Sequence, residues 1–160
     1  MLRVFDASAI VYAWDNYPIG QFPKLWEWLS AEITLGELAL SQVAMEEVGH
    51  VAPDCHAWLQ AEECGVIAVS AAVLTEANKI KGLIGVVGDA FHGDGVDEND
   101  VIIVATAKHQ KVGLVSDEGQ QPDLPKNMKK YKIPAVCGLG AVSVDCCSFL
   151  DYLKASKKVF

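Results

Sequence analysis

Acidic side chains lie at four places where a strand or a helix is predicted to begin or end. Asp6 follows the apolar run RVF, and the pair Asp117 and Glu118 follows LVS. Glu46 and Glu47 come shortly after Ser41, which is predicted to cap a helix. The fourth group precedes the apolar run VIIVATA and consists of Asp97, Glu98 and Asp100.

Carboxylates gathered in one place repel one another and raise each other's pKa values unless a cation neutralises them. Oxygen ligands without an accompanying His or Cys favour Mg²⁺ or Mn²⁺ over Zn²⁺, and the four histidines show no HxxxH spacing. Such ions can activate a water and stabilise charge on a phosphodiester. The acids therefore indicate a hydrolytic metal site, although each has a structural alternative as a helix cap, a solvated helix residue or a turn residue.

Predicted strands alternate with predicted helices along the chain. The strands are LRVFD, VIAVS at 66–70 as an interior strand, LVS after Gly113, and AVSVDC. This alternation predicts a parallel sheet covered by helices on both faces. The carboxyl ends of parallel strands and the helices that follow them share one edge of such a sheet. The four acidic groups can therefore converge although they are far apart in sequence.

The helices are predicted from apolar spacing and cap residues. Ser41 is the expected cap of the helix that carries Glu46 and Glu47, and Asn99 or Asp100 is expected to cap the helix over VIIVATA. Pro53 begins a further helix that closes at Gly65. Other predicted helices cover SAIVYAW, residues 71–81 and SFLDYLKASKK, and one ending at Gly36 has the apolar residues Leu25, Trp26, Leu29 and Ile33 at helical spacing.

The charge is divided unevenly along a chain whose length fits one domain, residues 1–160. The net charge is −8, with −12 in residues 1–100 and +4 in residues 101–160. An acidic chain is a poor candidate for purely electrostatic binding of nucleic acid. The basic segment KNMKKYK nevertheless offers phosphate contacts beside an acidic site, with Tyr131 available to stack on a base, or is simply a solvated loop. Its candidate RNA-binding residues are Lys126, Lys129, Lys130 and Lys132.

Several classes of protein are excluded by the sequence. No apolar run reaches the length of about 18–20 residues that spans a bilayer, and Asp6 and Asp15 interrupt the start where a signal peptide needs an apolar segment. Five cysteines form no CxxC pair, which favours reduced, buried thiols in the cytoplasm. No glycine-rich loop is followed by the Lys-Ser/Thr pair of a phosphate-binding loop.

Three segments together resemble the PIN-domain family, including the VapC-like toxins and an uncharacterised PIN-like subfamily. VFDASAIVYAW resembles the first strand and Asp-x-Ser/Thr signature of that family. SQVAMEEV resembles its second motif, and NDVIIVATAKHQKVGLVSDE resembles its third block and the strand that follows. The order and spacing agree along the whole chain, and the combination is more specific than any one piece. The resemblance implies a three-layer α/β/α fold with a central, mainly parallel sheet.

The resemblance also assigns roles to individual residues. Asp6 and Asp100 are expected to be direct ligands of Mg²⁺ or Mn²⁺. Glu47 matches the helical glutamate and would bind metal through water or orient the nucleophile. Glu118 matches the fourth acid, although the family more commonly has Asp there, and the neighbouring Asp117 is an alternative. Ser8 would orient Asp6 or a water on the metal.

The family's activity implies a metal-dependent endoribonuclease that cleaves RNA and acts as the toxin of a toxin–antitoxin pair. Its expected partners are RNA and an antitoxin protein, with no membrane. Tyr12 and Trp14, on the helix after Asp6, are candidates for a homodimer contact. The main alternative is an inactive PIN-like module that binds RNA or protein. A phospho-receiver or nucleotide-binding domain is disfavoured because the phosphate loop and the receiver-type acidic pair are absent.

Overall fold

The structure, a computed structural model, describes residues 1–160. Its centre is a five-stranded sheet in which every neighbouring pair of strands is parallel. The strand order is β3-β2-β1-β4-β5, and the strands are β1 (Arg3–Phe5), β2 (Leu38–Ser41), β3 (Gly65–Ile67), β4 (Gly113–Val115) and β5 (Cys146–Cys147).

Eight helices flank the sheet. The expected three-layer α/β/α architecture is confirmed, since helices connect all neighbouring strands along the chain and the five strands form one parallel sheet. The helices are α1 (Ala7–Asn16), α2 (Pro23–Thr34), α3 (Gln42–Val51), α4 (Pro53–Ala61), α5 (Ala71–Ile84), α6 (Glu98–Gln110), α7 (Ile133–Cys137) and α8 (Phe149–Ser156).

Helix α2 illustrates how closely local pattern matches the structure. Its buried residues are the four that the sequence pattern singles out, Leu25, Trp26, Leu29 and Ile33. Gly36 follows the helix with φ +72°, a left-handed conformation that glycine adopts at little steric cost. Ser41 caps α3 as expected and accepts a hydrogen bond from the backbone N–H of Ala44.

The strand predictions were wrong in three places. Strand β2 was not predicted, because Leu38, Ala39 and Leu40 are all buried and so lack the alternation that marks a half-exposed strand. The VIAVS strand lies at the sheet edge, not in its interior, and covers only Gly65–Ile67. The predicted AVSVDC strand, residues 141–146, overlaps the observed strand Cys146–Cys147 only at Cys146.

Three helix details also differ from prediction. Helix α6 is capped by Asp97 instead of Asn99 or Asp100, which both lie in its first turn. Helix α4 ends at Ala61, before Gly65. Helix α7 was not predicted, because it has only five residues, too few for an apolar period to emerge.

A single apolar core of 39 buried residues joins the sheet to the helices. Helix α6 has seven consecutive buried residues, from Val101 to Ala107, and all of them except Thr106 belong to this core, so its middle is buried on all sides. Tyr12 and Trp14 pack within the protein, Tyr12 near Tyr17 and Trp14 edge-on to Trp26. None of the helices has the length and apolar character needed to cross a membrane. All five cysteines are free thiols.

Candidate active site

Asp6 lies where the order of the sheet changes direction. Strand β1 is central, with β2 on one side and β4 on the other, and a crevice at such a reversal is the usual ligand site of a parallel sheet. Asp6 directly follows β1, and its backbone N–H donates to the carbonyl of Val115 at the end of β4 (2.8 Å). The two strand ends that carry predicted acids are therefore hydrogen-bonded neighbours.

The Asp6 side chain is buried and accepts two hydroxyl hydrogen bonds. Ser8 Oγ and Ser116 Oγ both donate to its Oδ2, at 2.6 Å and 3.0 Å. Burial raises the pKa of Asp6, and the two hydroxyl donors oppose that rise because they favour the charged carboxylate. The expected orienting role of Ser8 toward Asp6 thus has a geometric basis, and Ser116 shares it.

The same two hydroxyls hold the segment after β4. The backbone N–H of Asp117 donates to Ser8 Oγ (3.0 Å), and that of Glu118 donates to Ser116 Oγ (3.2 Å). Each serine therefore uses its proton on Asp6 and its lone pairs on the backbone. Residues 6, 8 and 116–118 consequently form one hydrogen-bonded unit.

Glu118 is held at the edge of this unit by a backbone hydrogen bond. Its Oε2 accepts from the N–H of Ile133, the first residue of α7 (3.1 Å). Burial raises the pKa of Glu118, the Ile133 bond opposes the rise, and Asp6 adds to it. The unpredicted helix α7 therefore positions the fourth acid.

Asp100 lies in the first turn of α6 and forms a capping box with Asp97. Its Oδ2 accepts from the N–H of Asp97 (3.0 Å), and its own N–H donates to Asp97 Oδ1 (2.9 Å). Its Oδ1 makes no hydrogen bond within the chain. Burial raises the pKa of Asp100 to about 8, and the negative charge of Glu118 is the next largest cause.

The two adjacent glutamates of helix α3 lie in different surroundings. Glu47 is partly buried, and its pKa is raised by burial and by the charges of Asp6, Asp97 and Glu118. Glu46 is exposed and near Gln42. The structure thus places Glu47, as expected, on the side of the other acids.

Four predicted acids line a single pocket, hereafter the acid pocket, with a volume of about 120 Å³. Burial raises the pKa of all four, and another acid of the site raises it further in every case except that of Asp6. The lining residues are Asp6, Ala7, Ser8, Val11, Glu47, Val51, Asp100 and Glu118. Residues from four separate segments of the chain therefore converge.

The donor chemistry of the acid pocket fits a hydrated hard cation. No group of three or more His, Cys, Asp or Glu side chains is spaced as a ready-made metal cage. Mg²⁺ does not require one, since it retains several waters and is usually held by one or two carboxylates together with substrate phosphates. A bound cation would also reduce the electrostatic repulsion between these clustered carboxylates, whose pKa values are raised.

Asp117 is not among the residues that line the acid pocket. Its Oδ1 accepts from the N–H of Phe149 at the start of α8 (3.2 Å), and its Oδ2 is buried without a partner. Burial raises the pKa of Asp117. Of the two alternatives for the fourth acid, Glu118 faces the other carboxylates, while Asp117 joins the site to α8.

The basic segment is divided by the structure. Lys130 and Lys132 line a larger cavity that also includes Glu118, whereas Lys126 and Lys129 do not line it. Tyr131 lies between the two lining lysines but is only 7% exposed and belongs to the core. The expectation that Tyr131 stacks on a base is therefore wrong, because its ring is buried in the core and is not accessible to a base.

The roles of two residues that matter to the site were not predicted from sequence. Asp97 caps α6, and the spacing Asp97-x-x-Asp100 is a variant of the capping box that could have revealed it. Gln121 binds the backbone of the basic segment through both ends of its amide. A lone glutamine in a loop carries no sequence signal for such a role.

Solved structures with the same fold come from VapBC assemblies bound to DNA. A chain of VapBC2 from Rickettsia felis, bound to a DNA fragment from their promoter, superposes with a TM-score of 0.56 at 14% identity, covering 92% of this chain and 98% of that one. A chain of DNA-bound VapBC from Salmonella typhimurium gives a TM-score of 0.56 at 11% identity, covering 93% and 99%. The PIN-like fold implied by the sequence motifs is confirmed.

Comparison at the level of sequence places the chain in a family. No curated protein matches it. The family model described as "Domain of unknown function (DUF4411)" matches residues 4–160, which is nearly the whole chain. The protein belongs to the DUF4411 family, and its fold is PIN-like.

Proposed function

We propose that the protein is a Mg²⁺- or Mn²⁺-dependent endoribonuclease. The observation that carries this proposal is the convergence of Asp6, Glu47, Asp100 and Glu118 on one pocket at the switch point of a PIN-like sheet. In a parallel sheet this is the edge at which ligands bind. Without a cation, four carboxylates would repel any anion. With a bound cation, they suit the hydrolysis of a phosphodiester.

In this proposal Asp6 and Asp100 hold the ion, and Glu47 and Glu118 complete its surroundings. When bound, the ion activates a water and neutralises charge that develops on the phosphodiester. Ser8 and Ser116 keep Asp6 in one orientation and favour its charged form. Asp97 fixes Asp100 Oδ2 through the capping box and so leaves Oδ1 for the ion.

We extend the proposal to the biological role of a toxin with an antitoxin partner. The similar structures are VapBC assemblies bound to DNA, and this chain covers nearly the full length of the chains it matches. A protein partner that shields the acid pocket would restrain the nuclease until it is released. A homodimer remains part of the proposal.

A cleavage assay on labelled single-stranded RNA tests the activity. We expect cleavage with Mn²⁺ or Mg²⁺ and none with EDTA. Asp6→Asn and Glu47→Gln should each reduce the rate by at least about a hundredfold, because each loses a negative charge that helps to hold the ion, and the ion stabilises the charge that develops in the transition state. Glu46→Gln is the matched control on the same helix and should retain the rate, since Glu46 lies outside the acid pocket.

Two outcomes would contradict the proposal. One is an Asp6→Asn variant as active as the wild type, which would place the activity elsewhere or in a contaminant. The other is a well-folded wild-type protein that binds RNA but does not cleave it with either metal. That second outcome would favour the inactive binding module.

A further inference from the structure

A second cavity, larger than the acid pocket, adjoins it. Its volume is about 580 Å³, and Glu118 lines both. We call it the lysine cavity after two of its lining residues; the full set is Gly93, Asp94, Gly95, Glu118, Gln121, Pro125, Lys130 and Lys132. Its volume lies within the range of about 300–1,000 Å³ that is usual for ligand sites.

Two loops build this cavity, and glycine permits their close approach. A Cβ at Gly95 would lie 1.9 Å from the backbone oxygen of Lys129, so no other residue fits there without displacing the backbone. The next residue, Val96, donates its N–H to the carbonyl of Tyr131 (2.9 Å) and is itself buried. The glycine-rich loop is thus joined to the basic segment.

Gln121 fixes the basic segment from the other side. Its Nε2 donates to the carbonyl of Lys130 (3.0 Å), and its Oε1 accepts from the N–H of Lys132 (2.9 Å). These bonds resemble those that a neighbouring strand would make. Since the backbone of Lys130 and Lys132 is held in this way, the cavity is formed before any ligand arrives, which lowers the entropic cost of binding.

The chemistry of the lining favours an anion. Neither Lys130 nor Lys132 forms an ion pair within the chain, whereas Lys81 and Lys108 do. The lining contains no apolar side chain except that of Pro125, and it offers no aromatic ring for base stacking. Asp94 is the only acid besides Glu118, and its side chain is 74% exposed and lies near His92.

We propose that the lysine cavity binds a backbone phosphate of single-stranded RNA, next to the phosphate that is cleaved in the acid pocket. Lys130 and Lys132 supply the two charges, and Glu118 marks the border between the two sites. This inference rests on the proposed function for the identity of the ligand. It assigns RNA binding to two of the four lysines in the basic segment, with Lys126 and Lys129 left outside.

A pair of matched double variants tests the assignment. Lys130→Ala/Lys132→Ala and Lys126→Ala/Lys129→Ala remove the same charge from the same segment. Binding of a fluorescein-labelled single-stranded RNA is measured by anisotropy in EDTA, which removes the metal that the proposed cleavage requires. We expect the first pair to weaken binding by about tenfold or more, and to reduce the salt slope by about 0.7 for each phosphate that is no longer neutralised.

The control pair should change the affinity by less than about threefold, as expected for loss of general charge alone. Lys130→Arg/Lys132→Arg should retain binding, which shows that the charges matter and that the segment is still folded. Equal weakening by both alanine pairs would overturn the inference, because binding would then follow net charge. So would an unchanged affinity of the first pair, or no binding by the wild type.

The outcomes separate this inference from the proposed function. If the first pair selectively weakens RNA binding but the protein never cleaves RNA, the phosphate site is supported and the nuclease activity is refuted. If the protein cleaves RNA normally but the first pair does not selectively weaken binding, the nuclease activity is supported and the phosphate site is refuted. Unchanged thermal melting of each variant shows that the fold is intact.

Discussion

Asp6 is a buried carboxylate whose two hydroxyl partners also hold the neighbouring backbone. Ser8 and Ser116 donate to Asp6 and accept from the N–H groups of Asp117 and Glu118. A hydrogen bond to a charged group contributes about 1.5–3 kcal/mol, more than a neutral one. These serines thus combine a role in stability with a role in setting the charge of the candidate active site.

Ser116→Ala tests this double role. The substitution removes one donor from the Asp6 carboxylate and leaves the N–H of Glu118 without its acceptor. We expect the free energy of unfolding to fall by about 1–3 kcal/mol. The measurement is urea unfolding at neutral pH.

The matched control is Thr75→Ala, which removes a hydroxyl from an exposed position of α5 where it bonds only to Ala71 of its own helix. It should change stability by no more than about 0.5 kcal/mol. A Ser116→Ala loss no larger than that of the control would show that the Asp6 network does not contribute to stability.

At the scale of elements, short segments position the site more than the long helices do. Helix α7 has five residues, yet its first N–H fixes Glu118. The first turn of α6 fixes Asp100 through its capping box. The loop from Gly85 to Asp97 reaches the basic segment only because Gly95 lacks a side chain.

Gly95→Ala should separate this loop from the basic segment. Its Cβ would overlap the backbone oxygen of Lys129, and backbone cannot move aside as a flexible side chain can. We expect a loss of about 1–3 kcal/mol in unfolding free energy, the range of overpacking, and faster hydrogen exchange at the Val96 N–H. That N–H donates to Tyr131 across the two loops.

Gly93→Ala is the control in the same loop, since a Cβ there would have nothing within 4 Å. It should leave the exchange of Val96 unchanged and be neutral or slightly stabilising, because alanine restricts the unfolded chain. Equal exchange rates in the two variants would refute the close contact.

At the scale of the whole molecule, the fold gathers like charges that the sequence keeps apart. The carboxylates of the acid pocket come from α3, α6 and the ends of β1 and β4. Their repulsion is a cost to the folded protein that the unfolded chain does not have. The folded protein therefore binds protons or cations at this site more strongly than the unfolded chain does.

Stability should consequently fall with rising pH. The pKa of Asp100 is about 8 in the folded protein against an ordinary value of 3.8, so its contribution is fully present below about pH 4 and is lost as pH rises through about 8. Without metal, the Tm should decrease from about pH 5 to pH 9. Mg²⁺ or Mn²⁺ should raise the Tm most at the alkaline end, where the carboxylates are charged.

Asp100→Asn should flatten this pH dependence and reduce the stabilisation by metal. Asp123→Asn, a change of the same charge in an exposed loop, should leave both unchanged. A wild-type Tm that rises over this pH range, or equal metal stabilisation at its two ends, would contradict a cation site formed by mutually repelling carboxylates.

The sequence by itself determined the class of fold and the segments that carry the acids of the candidate site. Helical spacing, strand length and cap residues are local properties, so the segments carrying Asp6, Glu47, Asp100 and Glu118 could be predicted. The edge of the sheet on which they meet followed from the parallel topology that the alternation implies. The fully buried strand β2 and the short helix α7 lacked a periodic signal and were missed.

Only the tertiary structure decided which member of a neighbouring pair serves the site. Asp117 and Glu118 are consecutive residues in the loop after β4, and the backbone N–H groups of Phe149 at α8 and of Ile133 at α7 bind one carboxylate each. In the basic segment, Tyr131 is buried while Lys130 and Lys132 line the cavity beside it. Composition cannot separate such neighbours, because their surroundings come from segments distant in sequence.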